Sequence, residues 1–243
     1  MVVTETKRYT STKDFLKTIT LPEETRTYKP VSHQQLIDLT LESIDRAGFK
    51  VDKEFYSCTI NGMQANGRYT ISNVADEEMQ LQIGWQNSYN KTLSLKFAVG
   101  SVITICSNGV VRGDMGDFKK KHMGAVQEFA PKSISEYISK AGDIFEKIQQ
   151  EREQLKQVEL NEVSRAELLG RLYFQKDIIK PDQISIIRKE ILSPTHDYNC
   201  KDSAWELYNY CNYAMKETHP ANYFQQHKDL HNFFVAESGL LAV

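Results

Sequence analysis

The chain lacks most of the features that assign a chemistry at sight. Its four cysteines, at 58, 106, 200 and 211, form no CxxC pair. With no apolar leader over Met1 to Thr20, that usage points to reduced thiols in a cytosol rather than to a disulfide scaffold. No stretch approaches 18 uninterrupted apolar residues, so no membrane-spanning helix is expected. There is no Walker-type phosphate loop and no dinucleotide glycine fingerprint after a strand, so nucleotide hydrolysis finds no support. Only 12 glycines and 6 prolines occur in 243 residues, which excludes collagen-like and low-complexity classes. Charge of one sign is also missing. With 30 basic against 32 acidic residues, a net charge of −2 creates no global field for nucleic acid or an anionic membrane, so a phosphate-binding surface has to be a local patch.

What is present is an ordinary globular composition, 40% hydrophobic and 26% charged, on a chain long enough for one sizeable domain or for a core with a helical extension. The pattern predicts an α+β protein: an antiparallel β-meander packed with an N-terminal helix and followed by a helical C-terminal section. Ser32 and Gln35 form a capping-box pair ahead of Leu36, Ile37, Leu41 and Ile44 at helical spacing, and Gly48 stops the segment. Phe55 to Ile60, the Asn61-Gly62 turn and Arg68 to Ser72 read as a hairpin. Met79, Leu81, Ile83 and Trp85 alternate with polar or small residues, as do Leu93, Leu95 and Phe97, which predicts half-buried strands with one wet face. Val102 to Cys106 completes the meander. After Pro131 the period becomes helical: Ser133 with Glu136 predicts a start, and Ile134, Ile138, Ala141, Phe145 and Ile148 form one stripe. Ser164 with Glu167, Pro181 and Ser203 with Glu206 open further helices. The expected division is an N-terminal arm over 1–30, an α+β core with a long helix over 31–162, and a helical section over 163–243.

Several groupings can carry chemistry. Trp85-Gln86-Asn87-Ser88-Tyr89-Asn90-Lys91 lies between two strands and combines aromatic faces, amides and a cation. Such a segment can stack a base on Trp85 or Tyr89 and place Lys91 or Lys96 near phosphate, the two contributions that dominate single-strand affinity. It also reads as a plain hairpin loop with a core-facing Trp85. Lys119, Lys120 and Lys121, with Arg112 and His122, offer a second basic contact or a solvated charge run. His227 and His231 share a helix face at i, i+4, but two ligands do not close a metal site and packing histidines explain them equally. Asp114 with Asp117, and Asp76-Glu77-Glu78, read as turn and edge residues before they read as magnesium ligands. Cys106, His122 and Asp114 are the one assemblable catalytic set, and no spacing pairs them. Neither a metal nor a cofactor is expected.

Taken as an ordered series, Trp85-Gln86-Asn87-Ser88-Tyr89, the strand Leu93 to Val99, Cys106-Ser107-Asn108-Gly109, His122 and Ser203 to Asn209 resemble a phage- and plasmid-borne family of unknown function labelled "phage/plasmid-like protein", over approximately residues 30 to 235. Tyr89-Asn90-Lys91 stands where that family carries His-Asp-Gly, Gly109 where it often has Thr, and Glu206 where it often has Gly. The resemblance implies a mobile-element product in a bacterial host cytoplasm, with no settled activity. A meander leading into a long helix is also similar to the plan of phage single-strand annealing proteins, a likeness of fold alone.

Two functions therefore stand as expectations. The first is a non-enzymatic protein that binds single-stranded nucleic acid in replication or recombination, acting as a homo-oligomer through Trp85, Asn87, Tyr89, Lys91, Lys96, Arg112, Lys119, Lys120 and Lys121. The second is a counter-defence or protein-interaction role, with a host protein bound by the helical half through Tyr208, Tyr210, Tyr213, Tyr223, Phe224, Phe233 and Phe234.

Overall fold

The computed structural model describes residues 8–105, 109–111, 117–218 and 222–241. It is an α+β protein with a seven-stranded antiparallel sheet and a helical C-terminal part. The chain forms two compact units that interleave in sequence. One takes Met1–Asp76, Gln80–Val99 and Met115–Gly142, the other Glu77–Met79, Gly100–Asp114 and Asp143–Val243.

The first unit opens with β1 (Arg8–Ser11) and α1 (Lys13–Thr18), both within the segment read as an N-terminal arm. Thr12 caps α1 by accepting from the Phe15 N–H, and Leu16 is buried, so a short polar-looking segment has both a start signal and an anchor. Helix α2 (His33–Arg46) carries the expected capping box between Ser32 and Gln35. It ends in a Schellman arrangement: Phe49 N–H reaches the Ile44 carbonyl at 3.0 Å and Gly48 N–H the Asp45 carbonyl at 2.9 Å. Gly48 takes φ +78°, a conformation a side chain would resist.

The hairpin of β2 (Val51–Thr59) and β3 (Gln64–Ala75) turns through Asn61-Gly62, as the dipeptide predicts. Asn61 Oδ1 accepts from the Thr59 hydroxyl and the Met63 N–H. Strands β4 (Met79–Ser88), β5 (Leu95–Ile103), β6 (Gly109–Val111) and β7 (Asp117–Lys120) follow. The order is β1-β2-β3-β4-β5-β6, with β7 also pairing β5. Two expectations change here. Val102 and Ile103 are the end of β5 rather than a separate strand, and Cys106 lies outside the described residues. The wet face expected along β4 persists only in Gln80 and Gln82, because every residue from Ile83 to Ser88 is buried.

Helix α3 (Val126–Ser139) begins seven residues before Ser133, the predicted start. Pro131 lies in its second turn, where it forfeits one backbone bond to Gln127. No side chain caps α3; Val126, Ala130, Ile134 and Ile138, at intervals of four, are all buried and hold it instead. The predicted stripe continues through Ala141, Phe145 and Ile148, all buried, but on a separate helix, α4 (Ala141–Gln157).

The second unit continues α4 with α5 (Glu162–Gly170), a π-helical turn over Arg171–Gln175, α6 (Pro181–Leu192), α7 (Ala204–Ala214) and α8 (Tyr223–Leu241). Asn161, not Ser164, caps α5, accepting from the Ser164 N–H at 2.9 Å. Pro181 opens α6 at its first turn, and Ser203 caps α7 through the Glu206 N–H at 3.1 Å. Trp205 stacks on Tyr208, and Phe234 meets Tyr208 edge-on, which makes an aromatic core for this unit.

Candidate nucleic-acid interface

Strand β4 ends in the segment expected to form a polar loop, and the structure turns that segment inward. Trp85 is fully buried over Gly67, where an added Cβ would stand 2.7 Å from the indole. Its Nε1–H donates to the Tyr69 hydroxyl at 3.1 Å; Tyr69 and Tyr56 hydroxyls lie 3.3 Å apart, and Tyr56 donates to Glu54 Oε2 at 2.6 Å. Lys13 Nζ closes the chain on Glu54 at 3.2 Å. Burial pushes the Tyr69 phenol up to about 12, so the relay stays protonated and serves to satisfy an indole in the core.

Asn87 and Tyr89 organise a second buried cluster around a residue that sequence reasoning missed, His33. Asn87 Nδ2 donates to the Val31 carbonyl at 2.7 Å and to His33 Nδ1 at 3.0 Å, while His33 Nε2 lies 3.0 Å from the Gly62 carbonyl. These partners assign the Nε2–H tautomer. Burial lowers the His33 pKa to about 4, and His122 pushes it the same way, against the opposing bond to Gly62. Tyr89 lies flat on the imidazole and accepts the His33 backbone N–H, which as the first N–H of α2 has no partner within the helix. Tyr28 Oη donates to the Tyr89 carbonyl at 3.0 Å. The sequence signal for His33 is its place directly after the Ser32 cap; Tyr28 carries none.

The cations surround this core. Lys91 is exposed at φ +64°, with its ammonium 4.7 Å from the centre of the Tyr28 ring. Tyr28 also meets the ring of His122 at 5.8 Å, and the Lys29 N–H donates to the His122 carbonyl at 2.8 Å. The turn after β4 and the segment after β7 therefore converge on Tyr28. Along β5 and β7, Phe97 stacks on Phe118 in the core, and the register sets Lys96 directly opposite Lys119. Lys119 and Lys121 are exposed, Lys96 is half-buried, and Lys120 covers the Phe129 ring at 4.7 Å.

Of the residues predicted to contact nucleic acid, the structure thus gathers Lys91, Lys96, Lys119, Lys120 and Lys121 in the first unit. Trp85, Asn87 and Tyr89 are at most 4% exposed, so neither ring is open for a base to stack on. Arg112 lies outside the described residues, as do Cys106 and Asp114 of the catalytic set. The other groupings find structural partners. His231 Nε2 meets Glu151 Oε2 at 2.9 Å and His227 is buried beside Tyr223. Glu78 pairs with Lys156 at 2.6 Å and with Arg152 at 3.7 Å. Cys211 is fully buried, which pushes its thiol up and away from reactivity. Among the described residues no three His, Cys, Asp or Glu groups are placed to hold a metal ion, and no helix is long and apolar enough to cross a membrane. Of the aromatics proposed for a host-protein interface, Tyr208, Tyr210, Phe233 and Phe234 are core residues; Tyr213, Tyr223 and Phe224 are half-buried.

An antiparallel sheet with a buried histidine–asparagine–tyrosine core and a lysine-rich edge defines an α+β protein with no recognisable catalytic set among its described residues. The chain belongs to the family described as Domain of unknown function (DUF932), whose sequence profile matches residues 22–222. No curated protein and no solved structure matches it.

Proposed function

We propose that this chain is a phage- or plasmid-encoded, non-enzymatic protein that binds single-stranded nucleic acid during replication or recombination in a bacterial host cytoplasm. The observation that supports this reading is the cross-strand pairing of Lys96 with Lys119, next to exposed Lys121. Lys96, Lys119 and Lys121 concentrate basic side chains at one place on the sheet, and a phosphate backbone is drawn to such a local patch. Lys91, held over Tyr28, extends the cationic strip toward the turn after β4. Because Trp85 and Tyr89 are buried, affinity comes from phosphate neutralisation rather than base stacking, so binding is insensitive to base sequence.

Fluorescence anisotropy with labelled single-stranded DNA tests the reading directly. Binding at low salt that weakens linearly on a log–log plot of affinity against salt is expected. No binding at tens of micromolar protein overturns it.

A further inference from the structure

The second unit carries an apolar surface that nothing in the preceding sections uses. A cavity of about 300 Å³ lies between the α5–π arm and α6, and its accessible lining is entirely apolar. Leu169, Gly170 and Tyr173 form one wall and Ile184, Ile187 and Ile191 the other. Phe174 stands at its rim with 82% of its surface in solvent, and Leu192 on α6 is 74% exposed. Phe174, bare at the edge of an apolar hollow, extends that hollow outward as one contiguous apolar surface. Such a hollow has room for a ring, since an apolar cavity of ~150 Å³ already accepts benzene.

Gly170 gives an independent observation. It sits in helical conformation, φ −60° and ψ −43°, and a Cβ added there would meet nothing within 4 Å. Neither backbone geometry nor internal packing requires glycine at this position, although glycine weakens a helix interior. What a missing side chain permits is close approach of another chain to the helix backbone at the floor of the groove. Directly after Gly170 the helix widens into its π turn, Arg171–Gln175, a feature often found at working surfaces and the one that projects Tyr173 and Phe174 together.

We propose that this groove is a two-fold interface with a second copy of this chain, in which Phe174 of each copy enters the hollow of the other beside Gly170. Knob and hole occupy one face, the condition for an isologous contact that closes on itself instead of growing into a filament. Charge fits the same occupant. At helical spacing, Val163, Glu167, Gly170 and Phe174 form one ridge, and Arg188 lines the opposite wall of the groove. Both charged side chains are exposed or partly so, and neither is in an ion pair among the described residues. A two-fold axis through the groove exchanges the two walls, so Glu167 of each copy faces Arg188 of its mate.

The test is sedimentation equilibrium on the full chain without nucleic acid, which separates it from the binding reading above. Dimerisation below ~100 µM, a modest affinity for a specific contact, is expected. Phe174→Glu should weaken it at least tenfold, with the circular dichroism of the monomer unchanged because the side chain is solvent-exposed. Glu167→Arg and Arg188→Glu should each weaken the dimer, and the double variant should regain most of the loss. The swap keeps the test valid should Phe174→Glu misfold. A monomer throughout that range, including one whose groove is filled by an unrelated protein, overturns the proposal, as does a dimer indifferent to Phe174→Glu or to the swap.

Discussion

The imidazole of His33 lies flat on the phenol of Tyr89, with ring centres 3.9 Å apart and planes 6° from parallel, and the Tyr89 hydroxyl accepts the His33 backbone N–H at 2.7 Å. One aromatic residue thus holds both the side chain and the main chain of the first residue of α2. The start of that helix and the end of β4 are fixed to each other by this pair and by the Asn87 amide that bridges Val31 and His33.

Protonating His33 breaks the arrangement, because Nδ1 can no longer accept from Asn87. An unfolded histidine titrates near 6.5, and here the folded value is about 4. A lowered folded value means that the unfolded state takes up the proton first. The stabilisation is therefore complete above about pH 6.5, declines as pH falls and levels off below about 4, a loss of about 3 kcal/mol. Urea unfolding of the wild type and His33→Gln at pH 7, 5.5 and 4 checks this. The wild type should lose the extra stability across that window, whereas an equal slope in the variant would assign it elsewhere.

Gly67→Ala should destabilise the first unit by about 1–3 kcal/mol, the range for overpacking a filled core. The added methyl would meet the Trp85 indole at 2.7 Å, and the indole is held in place by its bond to Tyr69. Urea titration followed by near-ultraviolet circular dichroism reads both the loss and the displaced tryptophan. Unchanged stability would mean that the strand pair opens freely at this point.

These two sites show which parts of the molecule local pattern could reveal. The Ser32–Gln35 box and the Asn61-Gly62 turn are decided by residues a few positions apart and form where expected, and the stripe from Ile134 to Ile148 is buried as its spacing predicts, although two helices share it. Gln86, Asn87 and Ser88 read as a solvated turn because polarity usually accompanies exposure. All three are buried; Asn87 is satisfied by Val31 and His33, from a distant part of the chain, and Ser88 by the nearby Leu93 carbonyl. The start of α3 was missed for a related reason: it has no capping side chain, and burial of Val126 and Ala130 takes the place of that signal. In the candidate interface the lysines were legible as a charge run, but the opposition of Lys96 and Lys119 depends on strand register, which no short motif encodes.

Gly170→Ala should act in the opposite direction to Gly67→Ala. Its helical dihedrals suit alanine and the space above it is open, so the monomer should gain about 0.4–1 kcal/mol. Thermal melts of Phe174→Glu with and without the second substitution isolate this gain from any effect on self-association. A loss of stability would show that the π turn depends on glycine before it.

Reversing Lys119 and Lys121 to Glu should cut single-strand affinity by at least tenfold at low salt. It should also lower the slope of log affinity against log salt by roughly 1.4, two phosphate contacts at ~0.7 each. Both side chains are exposed, so folding should be preserved, and anisotropy over a salt series supplies the measurement. An unchanged slope would remove these lysines from the interface.

The interleaving of the two units bears on how the chain matures during synthesis. All segments of the first unit are complete once Gly142 has been made, whereas the second waits for Asp143–Val243. During that interval Glu77–Met79 and Gly100–Asp114 have left the ribosome without the helices they belong with. Part of β4 and part of β5 are thus translated early and completed late. Such a delay exposes strand to the crowded interior of a cell, and stalled or truncated translation products ending between the two limits should be the form most dependent on chaperones.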